Sequence, residues 1–384
     1  MSSPVREGPA GDPAVSVDAL TVHAFDIPVD GPDGREQDGT LTWESVTMIV
    51  AEARADGQAG LGYTYGDVAT AALIESKLTQ AVRGADAMAP PAAGQQVTAQ
   101  LRNAGQPGAG AMAASAVDIA LWDLKAKLLG QPLFQVLPAF RAEVPVYGSG
   151  GFTNYPLPVL TGQFARWAEQ GIPRMKLKTS RDPQADPRRL TAVRKEVGDD
   201  VELFTDANGA LSRKAALYWA HRFAAEWRVC WLEEPVSSQD TAGLRLLRDA
   251  GPPGLDIAAG EYGFLLPDFA ALLDAGAVDC LQANVTRCGG ITGLLQVGGL
   301  AAARQVDLSG HCAPAVSAHA FCAVPHLRHL EYFHTHVRAE GIAFDGTLSP
   351  AGGVLRPDPG RPGLGLAVKW ADLERYRVYG RSRA

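Results

Sequence analysis

The sequence predicts an α/β chain: a closed parallel barrel of the (β/α)8 type, preceded by a small α+β unit. Three observations predict it. From about residue 142 short apolar strands alternate with helix-like stretches, eight such strands fit within roughly 200 residues, and polar side chains collect at their C-terminal ends. That strand count favours closure over an open sheet.

In chain order, residues 1–17 read as a loose, disordered tail, with neither a basic start nor an apolar core. Residues 18–140 read as the α+β unit. It opens with the strand "VDALTVHAFDIPV" and the Gly/Asp-rich "DGPDGREQDGT", whose composition suggests an exposed, mobile loop. Two β-like runs then flank an Asp56-Gly57 turn, a hairpin signal. From Ala71 to Leu129 the pattern is helical, and Gly130 supplies a stop.

Residues 141–350 carry the barrel. Its strand ends are "VPVYGS", "RMKLKT", "VELFTDAN", "VCWLEEP", "LDIAAGE", "VDCLQAN", "VDLSGHC" and "HLEYF". Residues 351–384, with "RPDPGRPGLGL" and "ADLERYRVYG", read as an irregular segment returning to the small domain. Active sites of such barrels lie at the C-terminal strand ends, so Lys178, Asp206, Glu233, Glu261, Asn284, His311 and Glu331 are expected to converge on one mouth.

In an extended strand Lys176 and Lys178 of "RMKLKTS" share one face while Met175 and Leu177 take the other. A solvated edge strand explains a lone pair of lysines, but neighbouring acids place these two in the mouth. Asp206, Glu233 and Glu261 stand 27 and 28 residues apart, one βα repeat each. Converging without a cation they would repel severely, which leaves one or more protonated or a metal between them, and an all-oxygen set built from few carboxylates suits Mg²⁺.

Bulk properties exclude other classes. With 46% hydrophobic and 20% charged residues among 384, the chain is globular, and a net charge of −7 without any Lys/Arg run argues against nucleic-acid or anionic-membrane partners. No apolar run suits a transmembrane helix. The five scattered cysteines form no C-x-x-C pair and read as reduced core residues of a cytoplasmic protein, which we expect to be a homo-oligomer. Six of the eight histidines fall between 311 and 336, but their spacing fits no zinc pattern. "CGGITG" reads as a tight glycine turn rather than a phosphate loop.

The K-x-K strand, "DAN" (206–208), "EEP" (233–235), "GEY" (260–262), "CGGITG", "GHCAP", "ALWDLKAKLLGQPL" and "RPGLGL" occur in an order that closely resembles the mandelate racemase subgroup of the enolase superfamily, over nearly the whole chain from residue 18. The resemblance implies a (β/α)7β barrel with a capping domain formed by the N-terminal region and C-terminal tail. It also implies Mg²⁺ on Asp206, Glu233 and Glu261, and abstraction of the proton α to a carboxylate through an enediolate.

Under the resemblance Lys178 is the base, its pKa lowered by like-charge repulsion from Lys176 and the nearby cation, and Lys176 is also placed to touch the substrate carboxylate. Glu331 matches a position that donates a hydrogen bond to that carboxylate and must then be protonated. His311 matches a second acid/base on the opposite face. The family holds that imidazole with an aspartate; here the position is Asn284, whose amide oxygen could accept the ring N–H but adds no charge to stabilise an imidazolium. Asn208, Glu234, Ser149, Tyr63 and Tyr65 are expected to bind substrate or support the site, with residues 31–40 closing over it.

Dehydration of a hydroxy or sugar acid to a 2-keto-3-deoxy acid is the leading reading, because it does not require the two groups to exchange roles. A racemase or epimerase is the alternative within the same chemistry. The third reading is a carboxylate-binding barrel impaired by Asn284.

Overall fold

The computed structural model describes residues 15–382. The expected tail therefore lies largely outside the described residues, but its last part is held rather than loose: the Val17 N–H donates to Ala85 O at 2.9 Å, and Val17 is buried.

The N-terminal part is an antiparallel sheet of β1 (Ala19–Pro28), β4 (Ser45–Ala55) and β5 (Gln58–Tyr65), packed under helices α1 (Val68–Leu73), α2 (Thr79–Val82), α3 (Pro90–Leu101) and α4 (Ala109–Leu128). The β4–β5 hairpin turns at Asp56 and Gly57, both with positive φ, as the Asp-Gly signal requires. Between β1 and β4, the short strands β2 (Glu36–Gln37) and β3 (Thr42–Trp43) pair with each other. After the short helix α5 (Leu133–Val136) the barrel begins.

Eight parallel strands close the barrel: β6 (Val144–Gly150), β7 (Arg174–Lys178), β8 (Glu202–Asp206), β9 (Val229–Glu233), β10 (Asp256–Ala259), β11 (Cys280–Ala283), β12 (Asp307–Gly310) and β13 (Leu327–Phe333). Each pairs with the next, and β13 pairs with β6 through Leu330–Val146 and Phe333–Ser149. Seven helices connect them: α6 (Leu157–Glu169), α7 (Asp186–Val197), α8 (Arg213–Trp227), α9 (Thr241–Ala250), α10 (Leu266–Asp274), α11 (Gly290–Ala303) and α12 (Pro314–Ala320). The architecture is a (β/α)7β barrel with an α+β cap.

Helix α13 (His334–Ala343), strands β14 (Phe344–Asp345), β15 (Val354–Leu355) and β16 (Ala367–Val368), and helix α14 (Trp370–Leu373) follow. Residues 351–369 are largely irregular, as expected, and the segment returns to the cap, where β17 (Arg377–Tyr379) pairs with β1 at Phe25 and Ala24 and completes the cap sheet.

One contact ties the cap to the C-terminal segment, and a second ties it to the barrel. Asp123 of α4 accepts from Leu61 N–H of β5 and from Leu364 N–H of the C-terminal segment, each at 2.6 Å, which accounts for "ALWDLKAKLLGQPL" and "RPGLGL" as one device. At "CGGITG", Ser115 Oγ of α4 accepts the N–H groups of Gly289 and Gly290, while Asp118 accepts from Thr292 N and Oγ1 at 2.9 and 2.6 Å. The otherwise unsatisfied first turn of α11 is thereby capped from another domain. Gly290 has φ 73°, and a Cβ there would lie 2.4 Å from Asp118.

Inside the barrel, Tyr147, Phe204, Trp231 and His329 form an aromatic floor, with Phe204 and Trp231 stacked at 5.3 Å. Charged side chains lie above it: Lys176 Nζ sits over the Tyr147 ring at 5.3 Å.

Candidate active site

Strand alternation puts Met175 and Leu177 in the apolar layer outside the barrel, and Lys176 and Lys178 inside, both buried. Lys176 Nζ lies 2.6 and 2.7 Å from the two Glu233 oxygens, 2.8 Å from Glu331 Oε1 and 3.5 Å from Asp206 Oδ2. Lys178 Nζ donates to Asp206 Oδ2 at 2.5 Å. These β7 side chains thus meet acids from β8, β9 and β13.

The ionisation of this cluster departs from two expectations. Burial depresses the Lys178 ammonium and repulsion from Lys176 adds to that, but Asp206, helped by Glu261 and Glu233, outweighs both and leaves its pKa above the ordinary lysine range. The repulsion expected from Lys176 is present but smaller than the attraction of Asp206, and the share expected from a cation is not part of this balance. Glu331 is likewise not held protonated. Burial pushes its carboxyl up, yet Lys176, His311 and Lys178 together hold it below the ordinary carboxylate range. It acts as an acceptor, taking the Cys312 N–H at 3.1 Å.

Asp206, Glu233 and Glu261 are buried and bring one oxygen each to within 4.8 Å of the others. Glu261 Oε2 is buried without an aligned hydrogen-bond donor. Burial and its acidic neighbours raise Glu233, whereas His311 and Lys178 overcome burial at Glu261 and lower it. A buried, hard, all-oxygen set of this kind fits Mg²⁺. Asn208 donates its backbone N–H to Asp206 Oδ1 at 2.9 Å and so steadies that carboxylate. Glu234 is buried beside the cluster, and desolvation with Glu261 and Asp206 nearby raises its pKa.

On the far side, His311 Nε2 lies 2.9 Å from Glu261 Oε2 and 3.5 Å from Glu331 Oε2. Its Nδ1 faces Asn284, but not as the sequence suggested. Asn284 Oδ1 accepts from the Thr286 backbone N–H and from Thr286 Oγ1, each at 2.8 Å, so the amide turns its nitrogen to Nδ1 at 3.0 Å.

The remaining expected residues divide. Ser149 is buried at the end of β6 beside Lys176 and Phe333 in register, its Oγ without a partner. Tyr63 is not in the mouth: its hydroxyl donates to Glu340 of α13 at 2.6 Å, bridging cap and barrel. Tyr65 stacks on His336 with ring centroids 3.6 Å apart, and its hydroxyl is buried without a partner. Residues 36–39 are docked, whereas Asp33, Gly34, Arg35 and Thr40 are exposed, as the composition suggested. Glu36 is buried and accepts from Trp43 Nε1, the Thr153 N–H donates to Gln37 O at 2.7 Å, and Gly39 approaches so closely that a Cβ would lie 2.2 Å from Ala207 O at the end of β8.

Sequence reasoning missed three neighbours. Thr286 sets the Asn284 amide; Arg287 donates to the Glu261 carbonyl at 3.1 Å; and Cys312, expected to be plain core, places Sγ 3.3 Å from His311 Nε2. Only Cys312, inside "GHCAP", carried a positional signal. The five cysteines are free, as expected.

The chain is similar to known proteins over most of its length. Residues 160–372 match the family described as "Enolase C-terminal domain-like", and residues 38–137 match "Mandelate racemase / muconate lactonizing enzyme, N-terminal domain". The chain is 32% identical over 348 residues to a 3,6-anhydro-alpha-L-galactonate cycloisomerase of Streptomyces coelicolor, covering 88% of this chain and 92% of that protein. It superposes on a mandelate racemase/muconate lactonizing enzyme-like protein from Rubrobacter xylanophilus with a TM-score of 0.92 and 58% identity, covering 94% and 100% of the two chains. It also superposes on the L-talarate/galactarate dehydratase of Salmonella typhimurium LT2, solved with Mg and L-lyxarohydroxamate, with a TM-score of 0.86 and 28% identity over 100% and 99%.

Proposed function

For a chain that belongs to the mandelate racemase/muconate lactonizing enzyme group of the enolase superfamily, we propose a Mg²⁺-dependent lyase that removes water from a hydroxy or sugar acid to give a 2-keto-3-deoxy acid. The observation that carries the reading is the asymmetry of the mouth. Two buried lysines on β7 face the acids from one side, while the other side offers a histidine whose ring partner is an uncharged amide.

Asp206, Glu233 and Glu261 would hold the cation, with Asn208 and Glu234 supporting them. When bound, Mg²⁺ supplies positive charge that offsets Asp206 beside Lys178 and stabilises the second negative charge developing on the substrate carboxylate. Lys178 takes the α-proton onto Nζ. Lys176 keeps Glu233 and Glu331 in place and offers a cation to the substrate carboxylate. His311, reaching from the far side, assists departure of the β-oxygen. The aromatic floor and the docked residues 36–39 limit access of bulk water to these groups.

The test is a panel of sugar acids incubated with Mg²⁺ and assayed for 2-keto acid. The reading predicts a keto product whose mass is lower by one water. No keto product, with no Lys178-dependent α-proton exchange in D₂O, counts against it. A racemase would invert the α-carbon without forming keto acid, which polarimetry separates.

The cycloisomerase relative supports a second reading. If the β-oxygen is tethered in a ring, the same elimination opens that ring and yields an isomer rather than losing water. Product mass separates the two.

A further inference from the structure

We infer that Asn284, held by Thr286, fixes His311 as the tautomer that bears its proton on Nε2, so that this histidine enters the mouth as a hydrogen-bond donor and not as a base. A backbone N–H can only donate, so the 2.8 Å contact from Thr286 N identifies the Asn284 atom it meets as the oxygen. The Thr286 hydroxyl adds a second donor to the same oxygen, also at 2.8 Å. The remaining Asn284 atom is therefore the NH₂ group, a donor, and it lies 3.0 Å from His311 Nδ1. Nδ1 must accept, so it carries no proton, and the neutral ring keeps its hydrogen on Nε2.

The other end of the ring agrees. Nε2 lies 3.5 Å from Glu331 Oε2, an acceptor, and 3.3 Å from Cys312 Sγ, whose thiol hydrogen is directed to Glu331 Oε2 at 3.2 Å and so leaves the sulfur as an acceptor. The clamp is itself anchored: Thr286 O accepts from Thr64 Oγ1 of β5 at 2.7 Å, which ties it to the capping domain. Asn284, Thr286 and His311 are all buried, so water does not compete for these bonds.

An aspartate at 284 would impose the reverse, accepting a hydrogen bond from Nδ1–H and leaving Nε2 bare to receive a proton from substrate. Asn284 is thus a positioning residue that confines proton abstraction to the Lys178 side. That consequence rests on the proposed lyase chemistry; the tautomer does not.

The experiment reads the tautomer directly. Protein labelled with ¹⁵N-histidine is examined by long-range ¹H–¹⁵N correlation, the His311 signals being assigned by their loss in His311→Gln. The expected wild-type pattern is an unprotonated Nδ1 and a protonated Nε2, and Asn284→Asp is expected to exchange them. A wild-type signal showing a protonated Nδ1 overturns the inference whatever the variant does. Once a substrate is known, Asn284→Asp should also add α-proton exchange with inversion, at least tenfold above wild type. An exchanged tautomer without that gain would refute the role in confining chemistry to one face while leaving the tautomer assignment standing. Wild-type NMR as expected, in a protein that makes no keto acid, would refute the lyase reading alone.

Discussion

Lys176 Nζ bridges Glu233 and Glu331, 2.6 Å from an oxygen of the first and 2.8 Å from one of the second, with all three side chains sealed from solvent. One ammonium therefore compensates acids from two different strands. Removing one partner of a buried pair leaves an uncompensated charge, which costs about 3–5 kcal/mol. Lys176→Met should lower the stability of the metal-free protein by that amount in a urea titration. Added Mg²⁺ should raise the denaturation midpoint more in the variant than in wild type, because the cation meets the same acids. An equal Mg²⁺ response in both would mean that lysine and metal do not share the carboxylates.

A second prediction concerns the joint between cap and barrel. Asp118 accepts two hydrogen bonds from Thr292 at the start of α11, and burial pushes its carboxyl up to about 7. Asp118→Ala leaves those donors unsatisfied and should cost about 2 kcal/mol. Asp118→Asn, which keeps an acceptor, should recover more than half of the loss in the same urea midpoint. Equal losses would assign the effect to packing.

A third follows from His319, buried on α12 against Phe134. Desolvation lowers its pKa from 6.5 to about 4. The folded state thus prefers the neutral ring, and its contribution is complete above pH 6.5 and is lost as pH falls towards 4. Linkage over that window gives a loss of about 2 kcal/mol at pH 5 relative to pH 7.5. His319→Gln should flatten the slope of unfolding free energy against pH in this window by up to one proton. An unchanged slope would show that His319 does not titrate on unfolding.

The barrel and the convergence of the seven strand-end side chains were legible because both depend on periodicity. Lys176 and Lys178 share a face in any extended strand, and one acid per βα repeat reaches one mouth in any closed barrel. What depends on a particular neighbour was not legible. The charge of Glu331 follows from Lys176 lying 2.8 Å away, and the sign of the Asn284 contact follows from a backbone N–H two residues on. Residues 36–39 read as exposed because composition reports backbone freedom, whereas Gly39 is small in order to approach Ala207. Within the His-rich segment "HCAPAVSAHAFC" the two histidines part, His319 packing in α12 while His311 faces the mouth beside Cys312 and Glu331.

The central claim is that Lys178 alone removes the α-proton. The most direct measurement is the loss of the α-proton signal from a sugar acid turned over in D₂O with Mg²⁺, compared between wild type, Lys178→Met and His311→Gln. The account predicts loss in wild type, continued loss in His311→Gln even as keto acid formation slows, and at least a thousandfold reduction in Lys178→Met. Loss that survives in Lys178→Met and disappears in His311→Gln would contradict it.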